Sequence, residues 1–223
     1  MNKLTFLLAV TTLLFISSCK KDSDDNTINV PTDGLVSYFK FDGNLKDEKG
    51  NTPEGSNNGS APFISGKVGR AISVNGIDQY IEFDRKTFKN GNNISVALWF
   101  KKKTNDKLFL IVCDDFAISM SETPSVFQAG IAISVPGTNS AHGNYTADVW
   151  THFVGTYDGT DIKIYINGIL QETTNHPGNI TAYNRSLEIG RFGSSYCSGS
   201  VDELLIYDKT LTQTEVNQLY GAY

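Results

Sequence analysis

Three oxygen-bearing side chains stand close together in one short segment of the chain. Asp42, Asn44 and Asp47 fall within six residues that also contain Gly43. Hard cations such as Ca²⁺ bind several carboxylate and amide oxygens, with backbone carbonyls completing the shell. Aspartate and asparagine beside glycine are also ordinary turn residues that hydrogen-bond their own backbone. The spacing therefore allows a self-bonded turn or a structural calcium ion, and the ion is the prediction that we carry forward.

A second group of candidate residues lies in segments whose composition is typical of loops. Each segment has a tyrosine, with amides, a histidine or an arginine close by in sequence. A sugar ring presents an apolar face and a rim of hydroxyl groups, so a tyrosine beside such groups suits it. The same tyrosines could instead anchor their loops to the core. The predicted ligand-binding residues are Asn144, Tyr145, Tyr183, Arg185 and Tyr196.

The N-terminal segment has the pattern of an export signal. Lys3 precedes an apolar run over residues 4–16, which is too short to span a bilayer of about 30 Å but suits a signal-peptide core. The run ends in Ile16-Ser17-Ser18-Cys19, which resembles the bacterial lipobox. We therefore predict a lipoprotein signal peptide over residues 1–18 and lipidation of Cys19. An ordinary signal peptide with a chance cysteine is the alternative.

This reading of the N-terminus predicts where the protein resides. The lipid on Cys19 would anchor it to the bacterial outer membrane, at the cell surface or on the periplasmic face. Residues 19–33 are charged and polar with almost no apolar side chains, so we expect a flexible tether. Residues 34–223 then form one domain, a normal size for a single all-β unit.

The other two cysteines and the charge balance limit the remaining chemistry. With Cys19 lipidated, Cys113 and Cys197 remain as an even pair in a compartment that can oxidise thiols, so one disulfide is possible. The formal net charge is −5, and outside Lys101-Lys102-Lys103 the basic residues form no cluster. Nucleic acid is therefore not an expected partner.

The order of short apolar runs and turn residues predicts an all-β domain. Asn167-Gly168 separates two β-branched runs and is a strong signal for a type I′ hairpin, because both residues tolerate positive φ. Residues 150–157, 161–166 and 169–174 should form three consecutive antiparallel strands. Thr212 and Glu215 have the spacing of a capping box, which predicts one short helix from about residue 213 to 220.

Several segments together are similar to the laminin-G-like and concanavalin A-like domains. They occur in the order found in that family and cover residues 34–222, although no single segment is specific. The segments are GLVSYFKFDGN from residue 34, GKVGRAISVNG from residue 66, Trp99 in its strand, WTHFVGTYDG from residue 150, IYING from residue 164, IGR from residue 189 and GSVDEL from residue 199.

The resemblance implies an antiparallel jelly-roll sandwich of two sheets, with the first and last strands adjacent and a short C-terminal helix. Domains of this kind often hold calcium, and Asp202 becomes a fourth candidate ligand if the last strand pairs near the first. Trp99 and Trp150 fall within predicted strands and are expected to be buried in the core, and His152 is expected to be structural.

The family includes carbohydrate binders, protein binders and enzyme-associated domains, so the fold does not identify the ligand. Glycan-cleaving members carry Glu-x-Asp-x-x-Glu on one strand, and the segment around Asp202 and Glu203 does not match it. Neighbours on a strand should also point to opposite faces. We therefore expect a non-catalytic binding module at the cell surface, for carbohydrate or alternatively for a protein partner, with glycoside hydrolysis the least favoured function.

Overall fold

The computed structural model describes residues 28–85, 88, 91–102, 108–123, 126–137, 139–181 and 185–223. These residues form seventeen strands and one helix within the described parts of the chain. The elements are β1 Leu35–Phe39, β2 Ser56–Asn58, β3 Phe63–Ser65, β4 Arg70–Asn75, β5 Tyr80–Phe83, β6 Ile94–Lys101, β7 Phe109–Val112, β8 Phe116–Thr123, β9 Val126–Ile133, β10 Ser140–Asn144, β11 Thr151–Tyr157, β12 Asp161–Ile166, β13 Ile169–Asn175, β14 Leu187–Ile189, β15 Arg191–Phe192, β16 Ser195–Tyr196, β17 Ser198–Tyr207 and α1 Gln213–Gly221.

The long strands assemble into two antiparallel sheets. One has the strand order β13-β12-β11-β6-β17-β4-β3, with β1 also paired to β17; the other has the order β10-β9-β8-β7-β14-β5-β2. β15 and β16 form a separate hairpin. The pairing of β1 with β17 confirms that the first and last strands are adjacent. The predicted all-β, two-sheet antiparallel jelly-roll sandwich with a C-terminal helix is confirmed.

The β12–β13 hairpin has the predicted turn. Asn167 has φ of 50° and Gly168 has φ of 79°, both in the left-handed region. Ile166 and Ile169 are paired directly across the turn, and β11 pairs with the other side of β12. The three consecutive antiparallel strands predicted from Asn167-Gly168 are therefore confirmed.

The core lies between the two sheets and is built by alternation along each strand. In β6, Ile94, Val96, Leu98 and Phe100 belong to this core. The intervening Ser95, Ala97 and Trp99 face outward but are also buried, so this strand is covered on both sides. Trp99 is thus buried outside the inter-sheet core. Trp150 precedes β11 and is only half-buried, so the expectation of a fully buried side chain fails there.

Helix α1 covers part of the outer face of the eight-stranded sheet. Thr212 and Glu215 form the predicted capping box, which satisfies backbone N–H groups at the start of the helix. Val216 and Leu219 are fully buried and pack with outward residues of the sheet, including Leu205. Among the described residues, no helix is long and apolar enough to cross a bilayer.

The segment before β1 is also packed on this face, which corrects one boundary. Val30 is buried in the same cluster as α1, and the Tyr207 hydroxyl donates to the carbonyl of Pro31 at 3.0 Å. Lys209 forms an ion pair with Asp33 at 2.6 Å. Residues 28–33, predicted as tether, are therefore part of the folded domain, because their apolar side chains and carbonyls find partners there. The predicted signal peptide and Cys19 lie outside the described residues.

Candidate functional site

The outer face of the seven-stranded sheet carries a floor of small side chains. In β8 the large residues Phe116, Ile118 and Met120 point into the core, which leaves alternate positions of the strand to the outer face. The outward residues of β8 and β9 are Ala117, Ser119, Gly130 and Ala132, paired across the two strands. Small side chains between taller neighbours produce a shallow depression in the sheet surface.

An exposed aromatic ring rises beside one end of this floor. Phe192 in the β15–β16 hairpin is 49% exposed, and the Arg185 guanidinium lies 4.6 Å from its ring centroid. Beneath them is a pocket of about 240 Å³ whose lining includes Val112, Ala117 and Ser134. The pocket combines an apolar ring face with a guanidinium and a hydroxyl, which are the two kinds of contact that a sugar ring can use.

The base of the same hairpin is held to the sheet by an ion-pair network. Arg191 bonds Glu188 at 2.6 Å and lies 3.6 Å from Glu82. Its guanidinium also stacks over the ring of Tyr80, 3.6 Å from the centroid, and Tyr80 lies 6.2 Å from Tyr196. This cluster fixes the position of the hairpin and therefore of Phe192.

The opposite end of the floor opens into a polar groove of about 430 Å³. Gln128 of β9 and Asn144 of β10 are cross-strand partners there, and neither amide bonds any atom of the described residues. His142 donates its backbone N–H to Glu172 at 2.5 Å. Its ring lies over Gly130, where a Cβ would come within 2.8 Å of it. Free amides can both donate and accept, as sugar hydroxyls require.

The outer face of the eight-stranded sheet holds a different arrangement, a buried pair of carboxylates. The register of β17 shifts after Asp202, and Glu203 has φ of 50°. Val201 and Leu204 on either side belong to the inter-sheet core, so Asp202 and Glu203 both face outward. The prediction that these neighbours point to opposite faces is wrong, because a bulge adds one residue to the alternation.

Burial dominates the electrostatics of this carboxylate pair. Burial raises the pKa of both Asp202 and Glu203 to about 7, with the charge of Glu203 adding to the effect on Asp202. The Tyr38 hydroxyl donates to Glu203, and the backbone N–H groups of Lys67 and Val68 donate to Asp202. Both side chains are fully buried. They hold β1 and the 66–70 loop against β17 and cannot reach a solution ligand.

The comparisons with known proteins assign the family. A laminin-G-type model described as the concanavalin A-like lectin/glucanase superfamily matches residues 75–217. The chain belongs to this superfamily. The match includes most of the seven-stranded sheet and the β15–β16 hairpin. No curated protein sequence shows significant similarity to the chain.

Solved structures of this superfamily's fold superpose on most of the chain. Domain 4 of an extracellular arabinanase from Geobacillus stearothermophilus, solved with arabinotriose, has a TM-score of 0.65 at 23% identity and covers 83% of this chain and 98% of its own. The receptor-binding domain of botulinum neurotoxin type G has a TM-score of 0.66 at 16% identity over 84% of this chain. The binding domain of Paraclostridial mosquitocidal protein 1 gives 0.67 at 15% over 85%. The chain spans about half the length of the two toxin domains. At these identities the likeness shows the fold.

The predicted ligand-binding residues are dispersed in this superfamily fold. Arg185 and Tyr196 lie at the β15–β16 hairpin, and Asn144 lines the polar groove. Tyr145 is 8% exposed and packs edge-on against Phe100, so its ring belongs to the core and offers no face to a ligand. Tyr183 lies outside the described residues.

Sequence reasoning missed Phe192 and Gln128. A signal for Phe192 was present, since an aromatic residue directly before Gly193-Ser194 is poorly placed for a core strand. Gln128 gave no local signal, because only the pairing of β9 with β10 places it beside Asn144.

The predicted calcium ligands are engaged by backbone N–H groups. Asp47 accepts from the backbone of Tyr38, Lys49, Asn51 and Thr52 at 2.9–3.1 Å. Asn44 accepts from Lys46, and Asp42 from Arg70. Asp202 binds the same 66–70 loop as Asp42 without joining it in one cluster. No group of three or more His, Cys, Asp or Glu side chains among the described residues could hold a metal ion. Because four N–H groups occupy the two Asp47 oxygens, Asp47 does not fit the role of a calcium ligand.

The possible disulfide is absent. Cys113 and Cys197 are both buried, and no bond joins them. Cys113 follows β7 of one sheet, whereas Cys197 leads into β17 of the other. The disulfide that cysteine parity left open is therefore not formed in this structure.

Proposed function

We propose that the chain is a non-catalytic module that binds polysaccharide at the bacterial envelope, anchored through a lipid on Cys19. The observation that carries the proposal is the open face of the seven-stranded sheet, with the Phe192 pocket at one end and the amide groove at the other. From Val112 on β7 to Ser140 on β10 the floor crosses three interstrand spacings, ~14 Å in total. Such a floor suits an extended ligand.

The two ends of the floor supply complementary contacts. At the hairpin, Phe192 offers an exposed ring face and Arg185 a fixed donor. At the groove, Gln128 and Asn144 offer donors and acceptors that have no partner among the described residues. An uncharged polysaccharide would place apolar ring faces on the first set and hydroxyl groups on the second.

The carboxylates support a binding function without hydrolysis. Glycoside hydrolysis uses two carboxyl groups that flank the scissile bond. Asp202 and Glu203 are fully buried on the other sheet. Glu82 and Glu188 are cross-strand partners on the open face, but both are tied to Arg191 and hold the hairpin in place.

A glycan panel tests this proposal. The purified full chain is expected to retain at least one neutral polysaccharide, and Phe192→Ala should weaken retention by about tenfold, since one aromatic contact is worth roughly 1–1.5 kcal/mol. Ile77→Ala, which removes another exposed apolar side chain from a loop, is the matched control and should leave retention unchanged.

A double variant tests the polar amide groove in the same assay. Gln128→Ala combined with Asn144→Ala should also reduce retention, whereas Asn217→Ala on the exposed side of α1 should not. Failure of the wild-type chain to bind any glycan, or equal binding by all variants, would reject the proposed surface.

A protein ligand is the second candidate, and one group of side chains favours it. Ile169 and Leu170 on the edge strand β13 are 65% and 44% exposed, and Tyr220 of α1, 41% exposed, packs beside Gly168. Contiguous exposed apolar groups mark protein interfaces. A pull-down partner that persists in excess soluble glycan and is lost in Ile169→Ser, with Phe192→Ala unaffected, would favour this function.

The anchoring part of the proposal has a direct test. Cells expressing the chain and fed a tagged fatty acid should incorporate the tag, and Cys19→Ser should abolish incorporation. Surface digestion of intact cells then separates the outward face from the periplasmic face of the membrane.

A further inference from the structure

The outer face of the eight-stranded sheet has an uncovered part beyond the carboxylate pair. Here β3, β4, β17 and the end of β6 enclose a groove of about 390 Å³. Its polar lining includes Ser73, Ser198, Ser200 and Lys101. This groove, called the serine groove below, lies on the sheet opposite to the proposed polysaccharide surface and is independent of that proposal.

The hydroxyl groups of the serine groove can donate hydrogen bonds to a ligand. The Ser200 hydroxyl donates to the Ser73 oxygen at 3.0 Å, which leaves the Ser73 proton available to a ligand. Ser198 is only 8% exposed, and its hydroxyl has no hydrogen-bond partner among the described residues. A buried hydroxyl without a partner costs free energy, and a rotation of the Ser198 side chain into the groove would let a ligand accept its proton and relieve that cost.

The charged group of the serine groove is also a donor. Lys101 lies with its ammonium 5.2 Å from the centroid of the Trp150 ring. Within the described ranges it has no carboxylate partner at ion-pair distance. Ser200 is paired directly with Lys101 across β6 and β17, so the two side chains leave the same face of the sheet, and both line the groove.

Acceptor groups near the serine groove are already occupied. The Asn75 carbonyl oxygen accepts from Ile77, and its amide donates to Asp78. Asp202 follows Ser200 by two residues along β17. One of its oxygens accepts from the N–H groups of Lys67 and Val68, and it does not line the groove. The lining therefore offers an ammonium and hydroxyl protons without a competing carboxylate.

We propose that the serine groove binds an oxyanion, such as the carboxylate of an acidic sugar or a sulfate group. Such ligands have only acceptor oxygens and match a lining of donors, and hydrogen bonds to charged groups are stronger than those between neutral groups. The amide groove on the other sheet, with donors and acceptors together, suits uncharged hydroxyl groups instead. The two grooves thus differ in the class of ligand that they select.

Calorimetric titration of the full chain tests the serine groove. The probes are trigalacturonate, its fully methyl-esterified form and inorganic sulfate. Binding of trigalacturonate that is lost on esterification supports a carboxylate ligand, and binding of sulfate without trigalacturonate supports a sulfate ligand. Absence of binding by both anions, or equal binding of the ester, overturns the proposal.

Variants assign any binding to the groove. Lys101→Met and Ser198→Ala should each weaken anion binding, the first by about tenfold because a charged hydrogen bond is lost. Lys46→Met, an exposed lysine on the turn after β1, is the matched control. Anion binding that is unchanged in Lys101→Met would overturn the assignment. Neutral-glycan retention should be normal in both groove variants, so failure of this inference is distinct from failure of the polysaccharide proposal.

Discussion

The two outer faces of the sandwich arise from the same alternation of residues along the strands, but the middle of one face is covered and the other face is open. On the eight-stranded sheet, helix α1 and residues 28–35 cover the middle of the face, and Asp202, Glu203 and His152 are buried close to this cover. On the seven-stranded sheet, small residues leave the floor open between Phe192 and Gln128. The covered middle of one face therefore contributes stability and buries two carboxyl groups, while the floor of the other face is open.

The largest difference between the faces should be in stability. Leu219→Ala removes a fully buried side chain from the covered face, and about 3 kcal/mol of unfolding free energy should be lost, by loss of burial and creation of a cavity. Phe192→Ala on the open face should change it by less than about 0.5 kcal/mol. Urea denaturation measures both, and similar losses in the two variants would contradict the assignment of the faces.

The pH dependence of stability should reveal the buried groups of the covered face. Asp202 and Glu203 have pKa values raised to about 7, so the stability gained from their protons is lost as the pH rises toward 7. Burial, with the charge of Lys67, lowers the pKa of His152 to about 3. Below pH ~6.5 the unfolded chain therefore binds a proton at this histidine that the folded chain does not, so this group alone makes stability rise with pH. The two carboxyl groups change the unfolding free energy with pH more steeply than the one imidazole does. The unfolding free energy should therefore fall between pH 5 and 7.5.

A double variant sharpens this pH test. Asp202→Asn with Glu203→Gln removes the two carboxyl groups and leaves His152, so stability should then rise with pH up to ~6.5. Unfolding free energies from urea titrations at several pH values measure the slope. A slope with the same sign in the wild type and the double variant would show that these groups do not carry the effect.

A smaller effect is expected from filling the floor of the open face. Gly130→Ala places a Cβ within 2.8 Å of the His142 ring, which is the far end of an exposed side chain and can move. The unfolding free energy should change by about 1 kcal/mol or less, but glycan retention should fall because the groove changes shape. Gly221→Ala at the end of α1, where a Cβ meets no atom within 4 Å, is the control. A large loss of stability with normal retention would contradict this view of the floor.

The smallest effect concerns calcium. Because backbone N–H groups already occupy the Asp47 oxygens, chelator or added Ca²⁺ should leave the melting temperature unchanged within about 1 °C. Asp47→Ala should lower it in both conditions. A melting temperature that drops by several degrees in chelator alone would restore the calcium prediction.

Local features were predictable wherever neighbouring residues settle the conformation. Asn167-Gly168 specifies its hairpin because both residues accept positive φ, and Thr212 with Glu215 specifies the helix start through its own hydrogen bonds. The Asp202 and Glu203 orientation was not predictable, because the bulge depends on pairing with β6 and β1. Tyr145 was misplaced for a related reason, since the residues that bury it, such as Phe100, are distant in sequence.

The sequence by itself determined the strand pattern and the helix cap, because these depend on period, turn residues and spacing along the chain. The sandwich followed from the resemblance of its ordered segments to a known family. Only the tertiary structure decided which face is open and which residues meet on it. Phe192 and Arg185 stack because a hairpin folds back over β7 and β8, and Gln128 meets Asn144 because β9 pairs with β10. Surfaces of this kind are assembled by strand pairing over long separations, which no local pattern encodes.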